Sequence, residues 1–179
     1  MWAKIEDASI TGLIPRPKSM TLGDVQYPHN IFELWSASEL EAIGIYEVTI
    51  DSTNLKDIKY YSNTDITYAY ASGAVTGTYG TATAKDLPTL KIQDKNKVDH
   101  RAYSHLQDSD WLVIRAAEGG TAVPSAWTTY RAAVRTKANS METQIDGAAN
   151  VDALAALYVY NSDDPPTRPL GEFPEEPTV

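Results

Sequence analysis

The chain has no cysteine, which excludes disulfides, thiolate metal sites and thiol nucleophiles outright. It has three histidines, His29, His100 and His105. The last two are five residues apart, off the i, i+4 spacing that sets two ligands on one helix face. A solvated-surface reading therefore outweighs a metal site, although Asp99 stands nearby. Positive charge is scarce as well: 15 Lys and Arg against 24 Asp and Glu give a net charge of −9. That balance opposes DNA or RNA binding, which needs clustered cations. No run approaches the ~20 apolar residues of a membrane helix. Met1-Trp2-Ala3-Lys4-Ile5-Glu6-Asp7 lacks the charged and apolar regions of a signal peptide. The expectation is a protein that folds in a cytoplasm, with no membrane and no nucleic-acid partner.

Catalytic signatures are missing too. There is no G-x-S-x-G elbow, no phosphate-binding loop and no dinucleotide fingerprint. Gly73, Gly77 and Gly80 lie among Thr and Tyr with no helix start behind them to hold an anion. Asp163-Asp164 and Glu175-Glu176 fall in a proline-rich stretch, where carboxylates are hydrated rather than driven apart in pKa. The reading is a non-enzyme with no cofactor and no metal.

What is present is an ordinary globular composition, 42% hydrophobic and 22% charged over 179 residues, enough for one core or a domain with a satellite. Patterning points to an α+β fold in four parts. Residues 1–84 form a strand-rich domain with one short helix. Trp2 to Ile5 and Asp24 to Tyr27 alternate as half-buried strands do. Ser36 or Ser38 caps a helix through Ala42, Gly44 stops it, and Ile45 to Ile50 is again a strand. Residues 64–84 read as a thin or partner-covered hairpin, with Ser72-Gly73 and Thr76-Gly77 as turn candidates and Ile66, Tyr68 and Tyr70 on one face.

Residues 85–107 are strongly polar. Ile92, Val98 and Leu106 are too sparse for a buried stripe, which predicts an exposed helix or a connector. Residues 108–160 are predicted to form a helical hairpin domain. Asp108-Ser109-Asp110 caps a short helix carrying Trp111 to Ile114, which Gly119-Gly120 ends. From Ser125 to Asp146, Trp127, Tyr130, Val134, Ala138, Met141 and Ile145 recur every three or four residues as one apolar stripe. Asn150 caps a last helix with Val151, Leu154, Leu157 and Tyr158 on one face, expected to pack antiparallel against the long one. Residues 161–179 form an extended, acidic, proline-rich tail with too little apolar surface to order itself. Order in it would call for a bound partner.

The segment Asp108 to Arg135 resembles the small tail assembly and tail-fibre assembly proteins of tailed bacteriophages. The matching residues are Asp110-Trp111, Pro124 and Trp127-x-x-Tyr130-Arg131-x-x-x-Arg135. A weaker likeness to phage tail proteins runs through Pro28 to Trp35, Glu39-Leu40 and Ile43 to Val48. The Thr/Tyr/Gly-rich middle matches no part of that pattern. The resemblance implies a chaperone-like assembly partner that binds a fibre or tail subunit in a hetero-oligomeric complex, in the host cytoplasm during assembly. Trp111, Trp127, Tyr130, Arg131 and Arg135 are then the partner-binding candidates. Arg131 and Arg135, one turn apart, would offer a paired fork to carboxylates. Against this stands a self-contained reading, with the aromatics in a hairpin core, Trp127 and Tyr130 packed on Trp111, Leu112 and Ile114, and Arg131 bonded to Asp108 or Asp110. Two other functions compete: a permanent virion component such as a tail connector or fibre adaptor, and a depolymerase-like enzyme, which would need a concave pocket with convergent carboxylates.

Overall fold

The computed structural model describes residues 1–178 and has the α+β architecture: a strand-rich N-terminal part followed by helices. The chain divides into two compact units, Met1–Thr83 and the residues from Ala84 onward.

The first unit is built on β1 (Trp2–Glu6), β2 (Ser9–Ile14), β5 (Ile45–Asp51), β7 (Ile66–Ala71) and β8 (Ala74–Tyr79), in the order β2-β1-β5-β8-β7. All neighbours are antiparallel except β5 and β8, which run parallel from Val48↔Val75 to Asp51↔Thr78. Because strand side chains alternate between faces, this sheet separates two apolar clusters. On one face Ile14 and Ile45 meet Ile31, Phe32 and Leu40 from α1 (Ile31–Leu34) and α2 (Ala37–Ala42). The ribbon of β3 (Met20–Leu22) and β4 (Val25–Tyr27) adds Met20, Leu22 and Tyr27 to that cluster. On the other face Ala3, Val48 and Val75 are buried under Tyr46, Tyr68 and Tyr70.

Local chemistry sets the ends of these elements. Ser36 caps α2 in a full capping box: its hydroxyl accepts from the Glu39 N–H, and the Glu39 carboxylate accepts from the Ser36 N–H at 2.8 Å. Gly44 follows at φ +80°, a left-handed turn with the Ile5 carbonyl oxygen 2.7 Å from where a Cβ would sit. The hairpin expected over 64–84 turns at Ser72-Gly73 as predicted, but it is not a separate ribbon. Its second strand, β8, is hydrogen-bonded into the main sheet beside β5. Thr76-Gly77 is therefore strand rather than turn. Gly77 is required there because Ile50, Ile66 and Tyr68 fill the space of its missing side chain.

The second unit holds α3 (Leu87–Gln107), α4 (Asp110–Ala117), α5 (Ser125–Gly147) and α6 (Val151–Ala156); a two-residue strand β9 (Thr83–Ala84), paired with β6 (Tyr61–Ser62), precedes them. Of the exposed helix or connector expected at 85–107, a helix forms: it is 21 residues long, capped by Asp86 and packed on α5 rather than exposed all round. Its buried face is Leu90, Asp94, Val98 and Ala102. Lys91 donates to the Asp146 carbonyl at 2.8 Å at one end, and His105 meets Tyr130 at 3.0 Å at the other, so α3 and α5 are antiparallel. The helical hairpin predicted for α5 with the last helix thus forms chiefly between α5 and α3. The α5 stripe is as expected, with Tyr130, Val134, Ala138, Met141 and Ile145 buried. Each large apolar side chain there contributes roughly 1.5–3 kcal/mol. Asn150 caps α6 through the Ala153 N–H at 2.8 Å, and Val151 and Leu154 are buried.

Among the described residues beyond α6 there is no helix or strand. Leu170 is 2% exposed, and its N–H bonds the Leu157 carbonyl at 3.0 Å. Asn161 closes a loop onto Thr167 through three hydrogen bonds. These contacts join the extended segment to its own unit. Among the described residues no helix is long and apolar enough to cross a membrane.

Candidate functional site

The five candidate residues separate into a buried clamp and an exposed face. Arg131 is 7% exposed. Its Nη1 donates to the Leu106 carbonyl at 2.8 Å and to the Ser109 hydroxyl, and its Nη2 pairs with Asp110 at 2.7 Å. One guanidinium thereby ties α5 to the end of α3 and the start of α4. A buried charge needs such a set of acceptors, because uncompensated burial is costly. The Leu106 carbonyl near the end of α3 also accepts from the Ser109 N–H at 3.1 Å, so the guanidinium adds a further donor to it. Ser109, read as a cap, instead bonds the Leu106 carbonyl at 2.9 Å and completes the clamp.

The paired fork therefore does not exist. Arg135 is exposed and leans back on the Arg131 carbonyl at 3.4 Å; Arg131 has no donor face turned outward. Of the two readings that the sequence left open, the bond to Asp110 is the one observed. Tyr130 is buried and shares a hydrogen bond with His105. Burial raises its phenol pKa, helped by the charge of Glu176. Trp127 is half-buried and stands edge-on to Tyr130, ring centroids 5.7 Å apart. The pocket of Trp111, Leu112 and Ile114 expected to receive these rings does not form as such. Leu112 is buried, while Trp111 and Ile114 are each 58% exposed.

α4 has an uncovered apolar side. Trp111 and Ile114 are one turn apart and Val113 is exposed between them. The Arg115 guanidinium lies 4.8 Å from the Trp111 ring centroid, a cation–π contact that holds the indole in one orientation. Buried Leu112 anchors the other side of the helix, and the Arg131–Asp110 pair fixes its start. The self-contained reading of the sequence puts Trp111, Leu112 and Ile114 against Trp127 and Tyr130; of the three only Leu112 is buried.

Elsewhere in this unit a carboxylate cluster lies along α3 and α5. Burial raises the pKa of Glu142, and a hydrogen bond with Asp99 adds to it, against the lowering charge of Lys95. Lys95 pairs with Asp146 at 2.9 Å. Among the described residues no three His, Asp or Glu side chains are arranged to hold a metal ion. His100 and His105 do not converge: His105 is taken by Tyr130 and by the Phe173 ring, 4.9 Å away.

Set against family models, curated proteins and solved structures, the chain matches none of them. Site and fold must therefore be argued from their own geometry.

Proposed function

We propose that this chain is a bacteriophage tail-associated binding protein, a chaperone-like partner of a fibre or tail subunit, acting by stoichiometric contact rather than by catalysis. The observation that carries the reading is the α4 face: an exposed Trp, Val and Ile on a short helix whose first residue, the half-exposed Asp110, is paired with the buried Arg131. Adjacent apolar side chains with a Trp among them are the kind of anchor that concentrates binding energy at interfaces. Asp110-Trp111 and Arg131, which belong to the pattern that resembles tail assembly proteins, are the residues that start and display this face. In this reading Trp111 touches the partner, while Arg131 sets the helix that carries it and Tyr130 joins α5 to α3 through His105.

The groove along α5 has one carboxylate, Glu172, already engaged by Tyr160 and Arg168. That supports binding over a paired-carboxylate hydrolysis. The contacts of the tail lie within its own unit and favour neither a releasable partner nor a permanent virion component. Co-expression with the fibre or tail subunit tests the proposal. Soluble, correctly assembled subunit should depend on this chain, and the complex should be absent from purified virions. A subunit that assembles equally well alone would refute the chaperone role; a stoichiometric presence in virions would favour the structural one.

A further inference from the structure

We propose that the surface of α3 and α5 that receives residues 170–174 is a binding site for an acidic, aromatic-bearing extended peptide of a partner protein. The chain's own Leu170-Gly171-Glu172-Phe173-Pro174 occupies it as a competing ligand in cis. This inference concerns a surface other than the α4 face and does not depend on the phage reading.

The segment is held in the manner of a recognised peptide, by side chains at spaced positions along irregular backbone. Leu170 is buried and its N–H is paired with Leu157. Glu172 accepts from the Tyr160 hydroxyl at 2.6 Å, pairs with Arg168 at 2.7 Å and faces Arg101 of α3 at 3.5 Å. Burial alone would raise the Glu172 carboxyl, but these partners hold it below its ordinary value. Phe173 lies against His105, with the Arg101 guanidinium 5.7 Å from its ring centroid. Gly171 has φ +74°, and a side chain there would collide with Lys137. Four adjacent positions thus each meet a distinct requirement, as in a motif.

Charge points the same way. Between residues 84 and 160, nine Lys and Arg balance nine Asp and Glu, whereas residues 161–179 carry one Arg against five carboxylates. The acidity of this unit resides in the segment. The surface under it supplies Arg101, His105 and Lys137. Beside the seated Glu172 and Pro174 lies an open groove of about 490 Å³, its other wall formed by Ala133, Thr136, Lys137 and Ser140 of α5. The in-cis segment is tethered, so its effective concentration is high, on the order of millimolar, and a partner must outcompete it.

The test uses the full chain and a fluorescein-labelled peptide of residues 166–177, followed by anisotropy. Glu172→Arg with Phe173→Ala should free the seat, and the variant should bind the peptide at least about tenfold more tightly than the unaltered chain, which still holds its own segment. Adding Arg101→Glu, an exposed position, should reverse the gain. If the double variant does not fold by circular dichroism, Glu172→Gln alone takes its place with the same expected order. Equal binding by the variant and the unaltered chain, no loss with Arg101→Glu, or equal binding of a scrambled peptide would each overturn the proposal.

Discussion

The two units bury different things. In the sheet unit, apart from Tyr60, whose hydroxyl accepts from Lys59, the buried side chains are apolar and gathered in two clusters on opposite faces. In the helical unit, Asp94, Ser109 and Arg131 are buried as well. The first is specified by strand register and by the space left where glycines stand. The second depends on polar groups that are sound only while every partner is in place. The contrast teaches where each should break: the sheet unit under added atoms, the helical unit under removed ones.

The largest effect is expected at Arg131. Arg131→Ala removes the bonds to the Leu106 carbonyl, Ser109 and Asp110 together, roughly 1 kcal/mol each, and should cost the helical unit about 3 kcal/mol. Amide hydrogen exchange should accelerate through α3, α4 and α5 while β1, β5 and β8 keep their protection. Uniform acceleration over both units would break the comparison. Next comes Gly44→Ala, which places a Cβ against the Ile5 carbonyl at a positive φ. It should cost about 2 kcal/mol, and exchange should quicken in β1 and β5 rather than in α5.

A smaller difference appears on acidification. The shifted carboxyls of the sheet unit, Glu6, Glu39 and Asp51, are all lowered, by side-chain hydrogen bonds from Lys4 and Thr53 and by the Ser36 N–H. Their stabilisation is complete above the ordinary carboxyl range and is lost as pH falls through the depressed values. In the helical unit Glu172 behaves likewise, but Glu142 has the opposite sign. With its folded value raised, it burdens the fold at neutral pH and is relieved as pH falls toward its ordinary 4.5. Glu142→Gln should therefore melt above the unaltered chain at pH 7 and converge with it near pH 4.5. A variant that melts lower at pH 7 would show that the charged form is the one the fold favours.

Much of this was legible in the residues. The α5 stripe from Tyr130 to Ile145 holds its period without interruption, and Ser36, Gly44 and Asn150 mark ends by chemistry that acts over three or four residues. The misses are all non-local. The α3 stripe hides because Asp94 occupies one of its places and small Ala102 another, while the conspicuous Ile92 points out at 58% exposure. Gly77 looks like a turn until β5 lies beside it. The bond from Arg131 to Asp108 or Asp110 is among the readings of the sequence, but its contacts with Leu106 and Ser109 are not, because nothing in its spacing reveals that the junction between α3 and α4 returns to cover it. The tail looks unable to order itself because one buried leucine and a stacked phenylalanine are few; it is Glu172, with three partners, that makes them enough.

The central claim is that Arg131 holds α4 while Trp111 and Ile114 do the contacting. Trp111→Ser with Ile114→Ser, measured beside Arg131→Ala for melting temperature and for retention of the co-expressed subunit, tests it most directly. The account predicts that the α4 double variant melts within about 2 °C of the unaltered chain, as surface substitutions do, and loses the subunit at least about tenfold. A double variant that melts as low as Arg131→Ala, or one that retains the subunit in full, would contradict it.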